Sequence, residues 1–223
     1  MRVGIVNFLG TNCDRDCLFA CDTVGVKAEI IWYTQTDLKN FDCIVLPGGF
    51  SYGDYLRSGA LAKFSPIMRS IKEFAEFGGY VMGICNGFQV LIESGLLPGA
   101  LLKNSNLKFI HKDVYLKTEA SHCFFTKGID QNVMLKMPIA HGEGNYYCDS
   151  DTIKYLNDNS MIVLRYSSKN GDVSQDYNPN GSIENIAGIC NKNGNVFGLM
   201  PHPERAVGDL GSDGEKIWNS LVD

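Results

Sequence analysis

Apolar positions along the first half of the chain switch repeatedly between strand and helix spacing. Residues 2–8 read as a buried strand, residues 13–24 as a helix stopped by Gly25, and residues 28–32 and 41–46 as further strands, the second closed by Pro47-Gly48-Gly49. Ile67, Ile71 and Phe74 recur at helical spacing, which predicts a long helix over residues 61–77 with Gly78-Gly79 as its stop. Residues 80–84 form a short apolar strand that passes at Cys85, without a loop, into a helix over residues 86–94 ending at Gly95. Strands alternating with helices predict an α/β fold, an open and mostly parallel sheet with helices on both faces.

The rhythm changes in the second half. Residues 109–116 and 161–166 are strand-like, and residues 186–190 and 196–199 flank an Asn- and Gly-rich turn as a hairpin, so a small antiparallel β portion is expected. A weakly amphipathic helix is expected over residues 215–222, and the polar stretch 169–182 reads as a surface loop.

With 223 residues, 44% hydrophobic and 20% charged, the chain reads as one globular domain over residues 1–223. The longest apolar stretches are strand-sized, short of the ~20 residues a spanning helix needs. Met1 runs directly into the first strand without a leader pattern, so a cytoplasmic location is expected. A net charge of −5 disfavours nucleic acid as a partner. Of the eight cysteines, Cys13, Cys17 and Cys21 stand four apart, a spacing that lines one buried helix stripe and lacks any CxxC metal pattern. Cys43, Cys123, Cys148 and Cys190 read as small buried hydrophobes, and no metal site is expected.

Three segments carry chemistry. In Gly83-Ile84-Cys85-Asn86-Gly87-Phe88-Gln89, glycines two before and two after Cys85 permit the sharp strand-to-helix turn that lifts a nucleophile out of a sheet edge. In Met200-Pro201-His202-Pro203-Glu204, an imidazole is followed at two residues by a carboxylate that can orient it, as a base and its partner require. The Pro47-Gly48-Gly49 loop ends a strand where an α/β sheet forms its site. The Gly49 amide there, with that of Asn86 after the nucleophile, could make an oxyanion hole. Taken singly, each segment also has a plainer explanation: a packed cysteine, a structural histidine, a simple turn.

Together, Cys85 in its GxCxGxQ setting, His202 with Glu204, and the Pro-Gly-Gly loop resemble the class I, triad-type glutamine amidotransferases, which hydrolyse glutamine to glutamate and ammonia. Residues 49–60, 141–146, 180–182 with 186–189, and 194–206 are similar to one branch of that family, the glutaminase subunits that serve formylglycinamidine ribonucleotide synthesis in purine formation. The resemblance implies a flavodoxin-like sheet, with Cys85 as nucleophile, His202 as base, Glu204 as its orienter, and Gly49 and Asn86 as oxyanion donors. It further implies that Gln89, Gly142 and Glu143 contact the bound glutamine. No GxxxxGK[ST] phosphate loop is present, so no cofactor is expected in this chain. ATP and Mg²⁺ are expected on a larger synthetase partner, accompanied by a small third subunit, to which ammonia is passed. Residues 52–60 are the candidate for transmitting that partner's state. Another cysteine hydrolase on the same fold, or a non-catalytic scaffold, are the alternatives.

Overall fold

The computed structural model describes residues 1–222. β1 (Arg2–Asn7) buries four consecutive residues, Val3 to Val6, as a strand covered on both faces must. It is followed by α1 (Asp14–Thr23), β2 (Lys27–Trp32), β3 (Cys43–Leu46), α2 (Pro66–Glu76), β4 (Tyr80–Ile84) and α3 (Asn86–Glu93). After these come β5 (Ala100–Leu102), β6 (Ile110–Thr118), β7 (Met134–His141), β8 (Asn145–Tyr147), α4 (Ser150–Asp158), β9 (Ile162–Ser167), β10 (Ile186–Cys190), β11 (Val196–Leu199) and α5 (Glu215–Trp218). One nine-stranded sheet runs β2-β1-β3-β4-β11-β10-β9-β6-β7, and β5 pairs with β8 separately. The strands from β2 to β11 are parallel and those from β11 to β7 antiparallel. The parallel α/β sheet with its antiparallel portion is therefore as expected.

Element boundaries depart from the sequence pattern where local chemistry intervenes. The helix expected over residues 61–77 begins only at Pro66, which holds Ser65 extended; residues 62–64 form a separate 3₁₀ turn. The helix expected over residues 215–222 is α-helical only to Trp218 and then tightens into a 3₁₀ turn. The pattern does not predict β7 or α4, although β7 alternates buried Leu135, Met137, Ile139 and His141 with more open neighbours. α4 also has a recognisable start, the Asp149 carboxylate accepting from the Thr152 amide at 2.8 Å. The stretch 169–182 is exposed at first but ends with Asn180 and Ser182 buried. Among the described residues, no helix is long and apolar enough to cross a membrane.

Placement of the site follows from this topology. β1, β3, β4 and β11 are consecutive parallel strands, and the segments leaving their carboxyl ends carry Cys13, Gly48-Gly49, Cys85 and His202 respectively. Residues scattered across the chain thus meet at one sheet edge.

Candidate active site

The turn at Cys85 is sharp and strained. Cys85 sits at φ 51°, ψ −105° as the cap of α3, a conformation that costs a non-glycine residue about 1–3 kcal/mol and persists only where packing enforces it. Both flanking glycines enforce it. A Cβ on Gly87 would lie 1.9 Å from the Leu46 carbonyl oxygen, and one on Gly83 would lie 2.5 Å from Leu91 Cδ1 and 2.7 Å from the Gly87 backbone. Bare backbone at these positions lets α3 press onto β3 and β4. The Cys85 amide donates to the Leu199 carbonyl at 2.8 Å, tying the elbow to the strand that leads to His202.

His202 and Glu204 form a buried pair. Nδ1 of His202 lies 2.6 Å from Glu204 Oε1, and the two residues are only 2% and 1% exposed. A carboxylate so close fixes Nδ1 as the protonated nitrogen and leaves Nε2 for chemistry. Burial pulls the imidazolium down, but the Glu204 carboxylate, with Cys85 and Cys13 nearby, outweighs it and holds the His202 pKa well above the ordinary histidine value. Nε2 is buried without a partner. The Cys85 thiol is turned toward the Ala140 carbonyl, with Sγ to O 3.6 Å, so the resting site holds thiol and ring as neighbours rather than as a closed hydrogen bond.

Gly49 takes φ 148°, a glycine conformation, and a Cβ there would meet the Asn12 amide at 2.6 Å. The hydrogen bonds around it run from Asn12 N to Gly48 O and from Phe50 N to Gly10 O, and neither uses the Gly49 N–H. Asn86 opens α3, where the first amides have no intrahelical acceptor. Gly49 lines the same cavity as Cys85, and Asn86 follows Cys85 directly, the two positions expected to supply oxyanion donors.

A cavity of about 200 Å³ opens over Cys85 and is lined by Gly49, Phe50, Asp54, Ser58, Gln89, Phe109, Ala140, His141, Gly142 and Glu143. It gathers Cys85, Gly49, Gln89, Gly142 and Glu143 of the expected residues, while Asn86, His202 and Glu204 are buried behind its wall. The side chain of Gln89 is already engaged: Nε2 donates to the Glu143 carbonyl at 2.6 Å and Oε1 accepts from Asn86 Nδ2 at 2.8 Å. Its amide clamps the 143 loop to α3. Asn86 also accepts from the Ser51 amide at 3.1 Å, so one side chain links the elbow to the loop after β3. Burial pushes the Asp54 carboxyl up, and neighbouring Glu143 adds to the push; two acidic groups facing one cavity suit a cationic ammonium.

Sequence patterns concealed several members of the site. His141 is buried with Nδ1 3.0 Å from Asn104 Oδ1, and burial, reinforced by His202, lowers its pKa to about 4, so the ring is neutral. Asn180 Nδ2 and Ser182 Oγ both donate to the Gly144 carbonyl, at 2.8 and 3.2 Å, so the end of the supposed surface loop instead braces the cavity wall. Cys13 needs a larger correction. It is buried like Cys17 and Cys21, but it caps α1 rather than sharing its stripe, and its thiol accepts from Arg205 Nη2 at 3.1 Å beside His202. Burial pushes this thiol up, while nearby His202 and the charge of Arg205 pull the other way. Spacing rules compare near neighbours in sequence and could not see a partner from the far end of the chain.

A family model of the CobB/CobQ-like glutamine amidotransferase domain matches residues 1–214. The chain is 51% identical to the phosphoribosylformylglycinamidine synthase subunit PurQ of Koribacter versatilis, covering 100% of this chain and 97% of that relative. It is also 51% identical to the PurQ subunit of Thermus thermophilus, covering 100% and 98%. Among solved structures, a chain in the structure of PurLQS from Thermotoga maritima superposes with a TM-score of 0.87 at 45% identity, covering 99% of this chain and 97% of that one. A glutamine amidotransferase from Thermotoga maritima shares the fold at a TM-score of 0.57 and 18% identity, over 98% and 80% of the two chains.

Proposed function

The chain belongs to the CobB/CobQ-like glutamine amidotransferase family, and from this we infer that it is the glutaminase subunit of phosphoribosylformylglycinamidine synthase. It releases ammonia from glutamine for a synthetase partner, the larger subunit of an assembly of the PurLQS kind, in which formylglycinamide ribonucleotide becomes formylglycinamidine ribonucleotide. A small third subunit joins the same complex. ATP and Mg²⁺ are assigned to the partner, and the complex to the cytoplasm. The observation that carries the chemical part is the strained Cys85 elbow set beside the buried His202–Glu204 pair under one small cavity.

In this mechanism Cys85 Sγ, as thiolate, attacks the side-chain amide carbon of glutamine, and the carbonyl electron pair moves onto oxygen, where the Gly49 and Asn86 amides receive it. Collapse of the tetrahedral species breaks the C–N bond, and His202 gives its proton to the departing ammonia. The thioester that remains is attacked by water, whose proton returns to His202. A second oxyanion forms in the same hole, and its collapse releases glutamate and restores Cys85. Glu204 keeps its proton balance unchanged throughout and stabilises the imidazolium each time it forms. The raised His202 pKa favours the protonated ring, so that an imidazolium is in place when ammonia departs. A cavity of about 200 Å³ suits a single amino acid better than a polypeptide, which disfavours a peptidase. The test is Cys85→Ala in the reconstituted complex: glutamine-dependent synthesis is lost and ammonia-dependent synthesis remains. Loss of both together would refute the ammonia-donor role.

A further inference from the structure

We propose that Cys13, His202 and Glu204 form a binding site for a thiophilic divalent cation of the zinc type, whose occupancy silences the glutaminase by seizing its base. The inhibitory consequence rests on His202 acting as assigned above; the site itself does not. One ligand atom from each of the three residues lies within 4.8 Å of the others, and no other such group of three exists among the described residues. All three are at least nine-tenths buried, and Nε2 of His202 and Oε2 of Glu204 have no hydrogen-bond partner. A sulfur, an imidazole nitrogen and a carboxylate oxygen at this separation are a zinc-type donor set.

Arg205 Nη2 stands 3.1 Å from Cys13 Sγ, and its own charge is balanced by Asp16, 3.1 Å from Nε. A thiolate and a carboxylate together offset the two positive charges of the ion. Gly48 keeps the flank of the cluster free of side chain: a Cβ there would lie 2.8 Å from His202 Cε1 and 3.1 Å from Cys13 Sγ. Binding forms metal bonds to sulfur, nitrogen and oxygen and expels the thiol proton and one ring proton to solvent. A metallated imidazole has no free lone pair for the proton shuttle.

Cobalt(II) titration of the full-length Cys85→Ala chain tests the site without the nucleophile's own thiol. One equivalent is expected to give a thiolate-to-cobalt charge-transfer band, displaced by zinc and abolished by adding Cys13→Ser or Cys13→Ala, each checked for native near-ultraviolet circular dichroism. No band, or a band undiminished in both Cys13 variants, overturns the proposal. In the assembled complex with Cys85 intact, Cys13→Ser is expected to raise the zinc concentration for half-inhibition of glutamine-dependent synthesis at least tenfold, and an unchanged concentration overturns the regulatory claim. A parent complex with no glutaminase activity would instead refute the functional assignment, and the cobalt titration would still decide the site.

Discussion

The elbow at Cys85 and the loop after β3 leave adjacent strands, and both bend through positive φ, but the surroundings that hold them differ. Cys85 is followed by seven buried residues, Asn86 to Ile92, and its backbone is wedged by Gly83 and Gly87 against neighbouring main chain. Tyr52, Asp54 and Leu56 also take positive φ, yet Tyr55 and Leu56 are 73% and 89% exposed. A few anchors hold this loop: the Tyr52 hydroxyl 2.7 Å from Ser65 Oγ, the Tyr52 amide on the Leu9 carbonyl, and the Ser51 amide on Asn86. Strain enforced by a packed core is a fixed part of the chemistry, whereas strain held by isolated hydrogen bonds on an exposed loop is what a docking partner can change. The two meet at Asn86, which carries a proposed oxyanion amide and bonds to Ser51 and Asp54.

Substitutions on the two sides should separate accordingly. Glu204→Gln is expected to lower glutamine-dependent turnover by roughly 10³–10⁴-fold through loss of the tautomer and of imidazolium stabilisation, with ammonia-dependent turnover kept. An equal fall in both would show the pair to be structural. Gly87→Ala should destabilise the chain by about 3 kcal/mol or more, read from the denaturation midpoint, because its Cβ has no room beside the Leu46 carbonyl. A near-neutral result would mean that the elbow is not wedged at all.

Acid should expose the wall of the cavity. His141 binds a proton in the unfolded chain near pH 6.5 but in the folded chain only near pH 4. The unfolded state therefore holds more protons across that window, and stability, complete above pH 6.5, falls by up to about 3 kcal/mol as pH drops toward 4. Denaturation at pH 7 and pH 5 should show the slope, and His141→Gln should flatten it. The smallest effect is expected on the exposed loop. Leu56→Asp should leave the folded chain intact and weaken partner association roughly tenfold, about 1.4 kcal/mol, in a binding titration. Full affinity would remove this loop from the interface.

The parallel half of the sheet is legible because β1, β3 and β4 are buried on both faces and the connections are punctuated by glycine, from Arg2 to the stop at Gly95. The catalytic segments are legible for a related reason: Gly83, Gly87 and the two prolines around His202 mark their turns within a few residues of chain. What escapes depends on tertiary contact. β7 carries Lys136 and Pro138 between its buried positions, which blurs its alternation, and Pro66 shortens α2 despite a continuous apolar pattern. Asn180, which reads as a polar loop residue, is fully buried because the Gly144 carbonyl and the Tyr166 hydroxyl satisfy its amide. Spacing groups Cys13 with its helix neighbours, while its decisive contacts, His202 and Arg205, are set by strand order.

Intact-mass analysis of the acid-quenched complex during glutamine turnover tests the central assignment most directly. A glutamyl thioester is predicted on this chain, mapping to Cys85 and absent from Cys85→Ala. Turnover with no covalent adduct, or with the adduct on Cys13, would contradict the account.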